Sequence, residues 1–306
     1  MIPLSNGHEL ENVTASGSLG FRGKGWWWEW LLVWLGFIDP KLFTNFIRTL
    51  TFEPRLYPVS NLSWIRPWTW LPFSPRSCVR LLPNGGAANK VGLYNPGYEW
   101  WCKEVGPKLD FKKVKLAASI FGTEEHLVIM TKRLNGFDFV AIEVNVSCPN
   151  TDHATQTATI IRSVKAVKAM TNLPVIVKVS VDQDYLAIAE GLKGIAEAIS
   201  LNSVPWKLAF PDGTESPLAK IGKEGTGGGG VSGKPAQMLN WAAVFKLSCL
   251  GALPVIAPSI MEYDDVARAY DLGAKAVSFG AIHLRTPWKP TSIVKERNYR
   301  ETLGVA

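Results

Sequence analysis

Few residues in this 306-residue chain are of the kind that build metal centres or disulfide scaffolds: four cysteines and four histidines. Cys78, Cys102, Cys148 and Cys249 form no close pair and no ligand spacing, which suits a reducing compartment better than a disulfide framework. His8, His126, His153 and His283 are equally scattered, no Ser/His/Asp arrangement is legible, and we read them as structural or surface residues. No stretch reaches the roughly 18 apolar residues of a membrane-spanning helix. The start, MIPLSNGHELENV, lacks the basic-then-apolar pattern of a signal peptide, so the expected location is cytoplasmic. The net charge of +7 suits an anionic ligand or surface, but no basic run resembles a nucleic-acid arm, and no nucleic-acid partner is expected.

What is there is globular in composition, 47% apolar and 19% charged, with 27 glycines and 20 prolines. Strand-like stretches at 11–18, 44–51, 113–122, 139–146, 174–180 and 254–260 and at 275–282 are mostly separated by stretches at helical spacing, one beginning near 123 and others at about 155–170, 184–199, 235–249 and 262–273. LNSVPW at 201–206 completes eight strand candidates. This alternation predicts a parallel (β/α)8 barrel, an α/β TIM barrel in a single domain over 1–306, with an open doubly wound sheet as the alternative on pattern alone. Residues 52–88, rich in Pro, Trp and Arg, are expected to form an ordered surface excursion.

An insertion at about 23–38 contains WWWEWLLVWLGFI, five of the thirteen tryptophans with one charge, Glu29. It is too short to span a bilayer. Two readings remain: Trp26–Trp34 packs on the barrel or at a subunit contact, which is favoured because no basic face accompanies the aromatics, or it lies at a membrane interface, where tryptophan is favoured.

The candidate site centres on 139–150, FVAIEVNVSCPN. Val140, Ile142, Val144 and Val146 alternate as in a strand, which then delivers Asn145, Cys148 and Asn150 at its carboxyl end, where α/β proteins place their sites. Lys178, within PVIVKVS, must find a partner or face a ligand, because burying a lone ammonium is very costly. GTGGGGVSGKP at 225–235 has the glycines of a phosphate-cradling loop but not the Ser or Thr of a nucleotide P-loop, since Pro235 stands there. Asn89, Asn145, Asn150 and Asn202 fall at strand ends or loops; converging, they would offer the donors and acceptors that a flat ring with carbonyl and N–H edges requires.

In their joint order, TASGSLG, RTLTFEPR, NKVGLYNPG, NVSCPN, PVIVKVS, LNSVPW, GGGGVSGKP and VSFGAI resemble the dihydroorotate dehydrogenases from about Thr14 to Pro287. The resemblance implies an FMN-bearing barrel that oxidises dihydroorotate to orotate in pyrimidine biosynthesis. Cys148 would be the base that takes the C5 proton while hydride leaves C6 for flavin N5, and a cysteine there resembles the soluble class. Asn89, Asn145, Asn150, Asn202 and Ser203 would hold the pyrimidine, with Val91, Gly92 and Leu93 on its carboxylate side. Lys178, Arg48 and Asn145 would sit by the flavin, and Ala15, Ser16, Gly230, Gly233, Ser259, Gly280 and Ala281 would line FMN and its phosphate. A homodimer is expected from the resemblance.

Two departures stand out. Arg48 replaces the family's lysine, keeping the charge on a bulkier fork. APSI at 257–260 replaces a glycine-rich phosphate turn; Pro258 has no N–H, and Ser259 takes positive φ less freely than glycine. They leave room for a flavin- or pyrimidine-binding homologue with little turnover, or for a flavoenzyme acting on another dihydropyrimidine. No iron–sulfur cysteine cluster is present, so NAD would need a partner subunit; fumarate or a quinone would act at the flavin directly.

Overall fold

A computed structural model describes residues 1–55, 78–147, 156–220 and 227–304. Eight parallel strands close on themselves: β1 (Asn12–Thr14), β2 (Thr44–Phe46), β3 (Lys115–Phe121), β4 (Ala141–Asn145), β5 (Val175–Val179), β6 (Ala198–Leu201), β7 (Val255–Ala257) and β8 (Ala276–Phe279). Each strand pairs with the next, and β8 returns to β1 through Val277 and Asn12, Ser278 and Val13, and Phe279 and Thr14. The result is a (β/α)8 barrel, with α1 (Glu124–Leu134), α2 (Thr157–Lys168), α3 (Tyr185–Gly191), α4 (Lys234–Leu250), α5 (Asp264–Asp271), α6 (Ala281–Arg285) and α7 (Lys289–Thr302) among its helices. α1 shows why these helices start where they do: the Thr123 hydroxyl accepts from His126 N, and Glu124 and Glu125 occupy the positive first turn.

The barrel interior is layered by the two-residue period of its strands. Val13, Phe46, Ala117, Ala141, Ile176, Ala198, Ile256 and Ala276, one from each strand, form one apolar cluster with Ile2, Leu4 and Leu10 of an N-terminal hairpin. Two residues further along their strands, four of these positions become Ser119, Glu143, Lys178 and Ser200, all buried and polar. Two more residues reach Asn145 and Asn202 at the carboxyl ends. Dry below and polar above, the interior can bind only at its top.

The structure departs from the sequence reading in particular places. The expected strand at 44–51 is broken: after Phe46 the chain leaves the regular ladder, Arg48 N donates to Gly20 O, and only Leu50–Thr51 rejoin β3. The expected helix at 184–199 ends at Gly191, and Ala198 and Ile199 belong to β6. Gly191 packs so closely that an added Cβ would stand 2.3 Å from Ile161, and Gly194 turns at φ +74. The glycine run is not simply a loop. Gly230–Gly233 is a strand between Val204–Pro205 and Gly86–Asn89, and with Val79–Leu82 they make a four-stranded antiparallel sheet. That sheet includes the end of the expected 52–88 excursion, whose residues 56–77 lie outside the described ones.

Candidate active site

One cavity of about 220 Å³ opens at the carboxyl ends of the strands. It is lined by Arg48, Asn89, Val91, Gly92, Leu93, Asn145, Lys178, Asn202 and Ser203, by Ala15, Ser16, Gly280 and Ala281, and by several residues that the sequence reading did not place at the site, Trp26, Trp28, Thr49 and Ser232 among them. Of the remaining expected site residues, Cys148 and Asn150 lie outside the described residues. Gly230, Gly233 and Ser259 do not line the cavity. Gly230 O accepts from Asn89 Nδ2 at 3.3 Å, Gly233 at φ +84 leads into α4, and the Ser259 hydroxyl accepts from Asn240 Nδ2 at 3.2 Å. Ser259 adopts φ +68, so the conformation that glycine would favour is imposed on a residue with a Cβ.

Lys178 answers the question its position raises. Its Nζ donates to Glu143 Oε1 at 3.2 Å and to Ser16 Oγ at 3.1 Å, and both members of the ion pair are almost fully buried. Glu143 also accepts from Ser119 Oγ at 2.7 Å and Ser200 Oγ at 3.4 Å. The network continues from Ser119 through Thr49 Oγ1 at 2.9 Å to Asn145 Nδ2 at 3.2 Å. Asn145 Oδ1 in turn accepts from Ser147 N and Oγ, and Asn202 Nδ2 donates to Ser147 O at 3.3 Å. Four barrel strands and the four loops that carry Ser16, Thr49, Ser147 and Asn202 are thus tied into a polar floor in which both carboxylate oxygens have partners. The signal for Glu143 was present: it is the one acid in β4, a strand apolar up to Asn145, beside β5, whose one charged residue is Lys178.

The wall at 89–97 is held from beneath. Asn95, fully buried, accepts from Thr51 N and Gly97 N and donates to Leu93 O at 2.7 Å and Thr51 Oγ1 at 2.9 Å. These bonds fix Gly92 and Leu93, both at φ +62, with Leu93 in a conformation rare for a leucine. Arg48 grips the same loop: Nε and Nη2 both donate to Tyr94 O, at 3.1 and 2.9 Å. Cys78, packed against Val91 and Tyr94, is no candidate thiolate, because burial pushes its thiol up to about 12 despite the nearby Arg48. No cluster of metal-ligating side chains occurs among the described residues.

The opposite wall is thin. Ala15, Ser16, Gly17, Gly280 and Ala281 present backbone and small side chains, and a Cβ on Gly280 would approach that of Ala15 to 3.2 Å. A slot between a small-residue wall and converging amides, with an ammonium at its floor, fits a flat, polar-edged ring system.

Fold and site together define a (β/α)8 barrel protein with a polar-floored cavity at the carboxyl ends of its strands, shaped for a flat ligand. The family model for dihydroorotate dehydrogenase matches residues 74–299. The catalytic subunit of dihydroorotate dehydrogenase B (NAD(+)) from Caldicellulosiruptor saccharolyticus is 32% identical over 222 residues, 69% of this chain and 71% of the relative. The subunits of the same name from Listeria welshimeri and Enterococcus faecalis are each 27% identical, over 232 residues (72% of this chain, 75% of the relative) and 214 residues (66% and 67%). The chain belongs to the dihydroorotate dehydrogenase family, a divergent member of these oxidoreductases acting on a CH–CH bond.

Proposed function

We propose that this chain oxidises dihydroorotate to orotate, with FMN as the bound cofactor and Cys148 as general base. The observation that carries the reading is the convergence of Asn89, Asn145, Asn202, Arg48 and Lys178 on one cavity whose other wall is small enough for a flat ring. FMN, when bound, supplies the acceptor for the hydride from C6. Lys178 would stabilise negative charge developing at that end of the cavity, and Glu143 holds its ammonium in place. Asn89, Asn145, Asn202 and Ser203, with Asn150, orient the pyrimidine edge, and the 91–93 backbone receives its carboxylate side. Cys148 follows directly in sequence on Ser147, whose hydroxyl donates to Asn145 Oδ1 at 2.8 Å in the cavity floor. A thiol of ordinary pKa about 8.5 serves as a base once positioned beside the C5 proton. Gly230, Gly233 and Ser259, set back from the cavity, are assigned to the phosphate end of the cofactor.

The names of the relatives specify NAD(+) and a catalytic subunit. On that pattern electrons leave this chain through a partner subunit; fumarate or a quinone acting at the site is the alternative. A homodimer and a cytoplasmic location complete the proposal; no helix among the described residues is long and apolar enough to cross a membrane.

One observation favours a second reading, a ligand-binding homologue with little turnover: the Arg48 fork is engaged on Tyr94 O where the family resemblance places a lysine near substrate. An anaerobic titration decides between them. Supplied with FMN, the protein should bleach on adding dihydroorotate, and Cys148→Ala should abolish the bleaching. Bound flavin that stays oxidised would overturn the dihydroorotate reading and point to a silenced site or another dihydropyrimidine as substrate.

A further inference from the structure

Residues 27–37 present the most concentrated exposed apolar surface described. Trp27, Trp30, Leu31, Trp34, Leu35 and Phe37 are each more than half exposed, and Trp34 is 80% exposed. The segment crosses between β1 and β2 as a short 3-10 turn (Trp27–Glu29) and a single helical turn (Trp30–Trp34), too short to lay a continuous face on the barrel. Expectations of a helix packed against the barrel are met only by its inner side: Trp26 and Trp28, stacked 5.1 Å apart, line the cavity, Trp26 Nε1 donates to Gly17 O, and Ile38 is buried.

Charge distinguishes what this face suits. The one acid within 22–38, Glu29, is buried; its carboxylate accepts from Trp26 N, and desolvation raises it to about 7. Asp39 accepts from Lys41 N in a local cap. The flanking cations Arg22 and Lys41 are exposed and Lys24 is half-buried. Tryptophans and leucines that no acid interrupts, bordered by cations on a chain of net charge +7, complement an anionic lipid surface, whose interfacial zone favours tryptophan and whose headgroups attract Lys and Arg.

We propose that the 27–37 segment docks on the surface of an anionic lipid bilayer, inserting Trp30, Leu31 and Trp34 at the headgroup boundary without spanning it. The segment that meets lipid is also a wall of the cavity, through Trp26 and Trp28, so docking sets the active site beside the membrane. The proposal does not depend on which reaction the cavity performs.

The test is co-sedimentation of the whole chain with vesicles of phosphatidylcholine alone and of phosphatidylcholine mixed with phosphatidylglycerol, together with light scattering to give the oligomeric state. Binding to the anionic vesicles that exceeds binding to neutral ones, and that falls roughly tenfold or more in Trp30→Ser/Trp34→Ser, is the expected result. Both substituted side chains are exposed, and an unchanged melting transition checks that the variant folds. Lys24→Glu/Lys41→Glu should remove the preference for anionic vesicles. The proposal is overturned if neither vesicle binds, or if the double serine variant binds as well as the parent. It also falls if the serine substitutions convert a stable dimer to monomer while vesicles remain unbound, which would assign the face to a second copy of this chain.

Discussion

Glu143 decides how Lys178 is presented. A buried pair broken by removing one partner costs about 3–5 kcal/mol, because the remaining charge is left without compensation. Glu143→Ala should therefore lower stability by about that amount in a urea titration. Glu143→Gln keeps the size and can still accept from Ser119, yet removes the charge that holds the ammonium. We expect its turnover to fall roughly tenfold or more while KM for dihydroorotate changes less, since Lys178 acts on charge that develops in the reaction. Equal loss in both parameters would mean that Glu143 supports the fold alone. Arg48 gives the converse experiment. Lysine cannot make the two-pronged contact to Tyr94 O, and its ammonium would be freed toward the cavity. If the arginine restrains the site, Arg48→Lys raises turnover several-fold; a fall would show that this family member has built its site around the guanidinium.

Among the elements, the loop at 89–97 offers the sharpest prediction. Asn95→Ala leaves the amides of Thr51 and Gly97 without their buried acceptor, at about 1–3 kcal/mol each, and releases Leu93 from its positive φ. KM for dihydroorotate should rise and a melting curve should shift down; an unchanged KM would remove this loop from the substrate site. Asn95 also shows where sequence reasoning stops. Its neighbours in NKVGLYNPG were legible as a loop, but nothing in one asparagine says that it is fully buried and makes four hydrogen bonds. The strands were more legible, because period-two patterns such as Ile142, Val144 and Val146 arise from local geometry. Where neighbours decide, local pattern misled: Ile199 continues a helical spacing, yet Gly191 and Gly194 end the helix and Ile199 pairs with Val255 in the barrel. Glu143 was equally visible as a letter and invisible as a partner, because its pairing with Lys178 depends on the register between β4 and β5, in which Ile176 lies opposite Glu143 and Lys178 opposite Asn145.

For the molecule as a whole, two buried groups impose opposite pH dependences on stability. His283 lies in the core with neither ring nitrogen hydrogen-bonded, and burial lowers it to about 3. Its unfolded form binds the proton more tightly, so this contribution to stability is present above the unfolded pKa of about 6.5 and is lost as pH falls toward 3. Glu29 works the other way. Burial raises it to about 7, so the native state holds the proton more tightly than the unfolded chain does. Below about pH 4 both forms are protonated and Glu29 contributes nothing; as pH rises through 7 the native state must ionise a buried carboxylate, at a cost of at most about 3 kcal/mol. Over pH 4.5 to 6.5 the two slopes oppose each other, and a single melting profile would hide both. Glu29→Gln separates them, since the amide oxygen can still accept from Trp26 N while the ionisation is gone. Melting temperatures of parent and variant should agree near pH 4 and diverge toward pH 8, with the variant higher by several degrees. A constant offset at every pH would mean that Glu29 acts through packing alone. A variant that is lower at pH 8 would mean that the carboxylate is stabilised when charged, and the burial argument for the Trp-rich segment would have to be withdrawn.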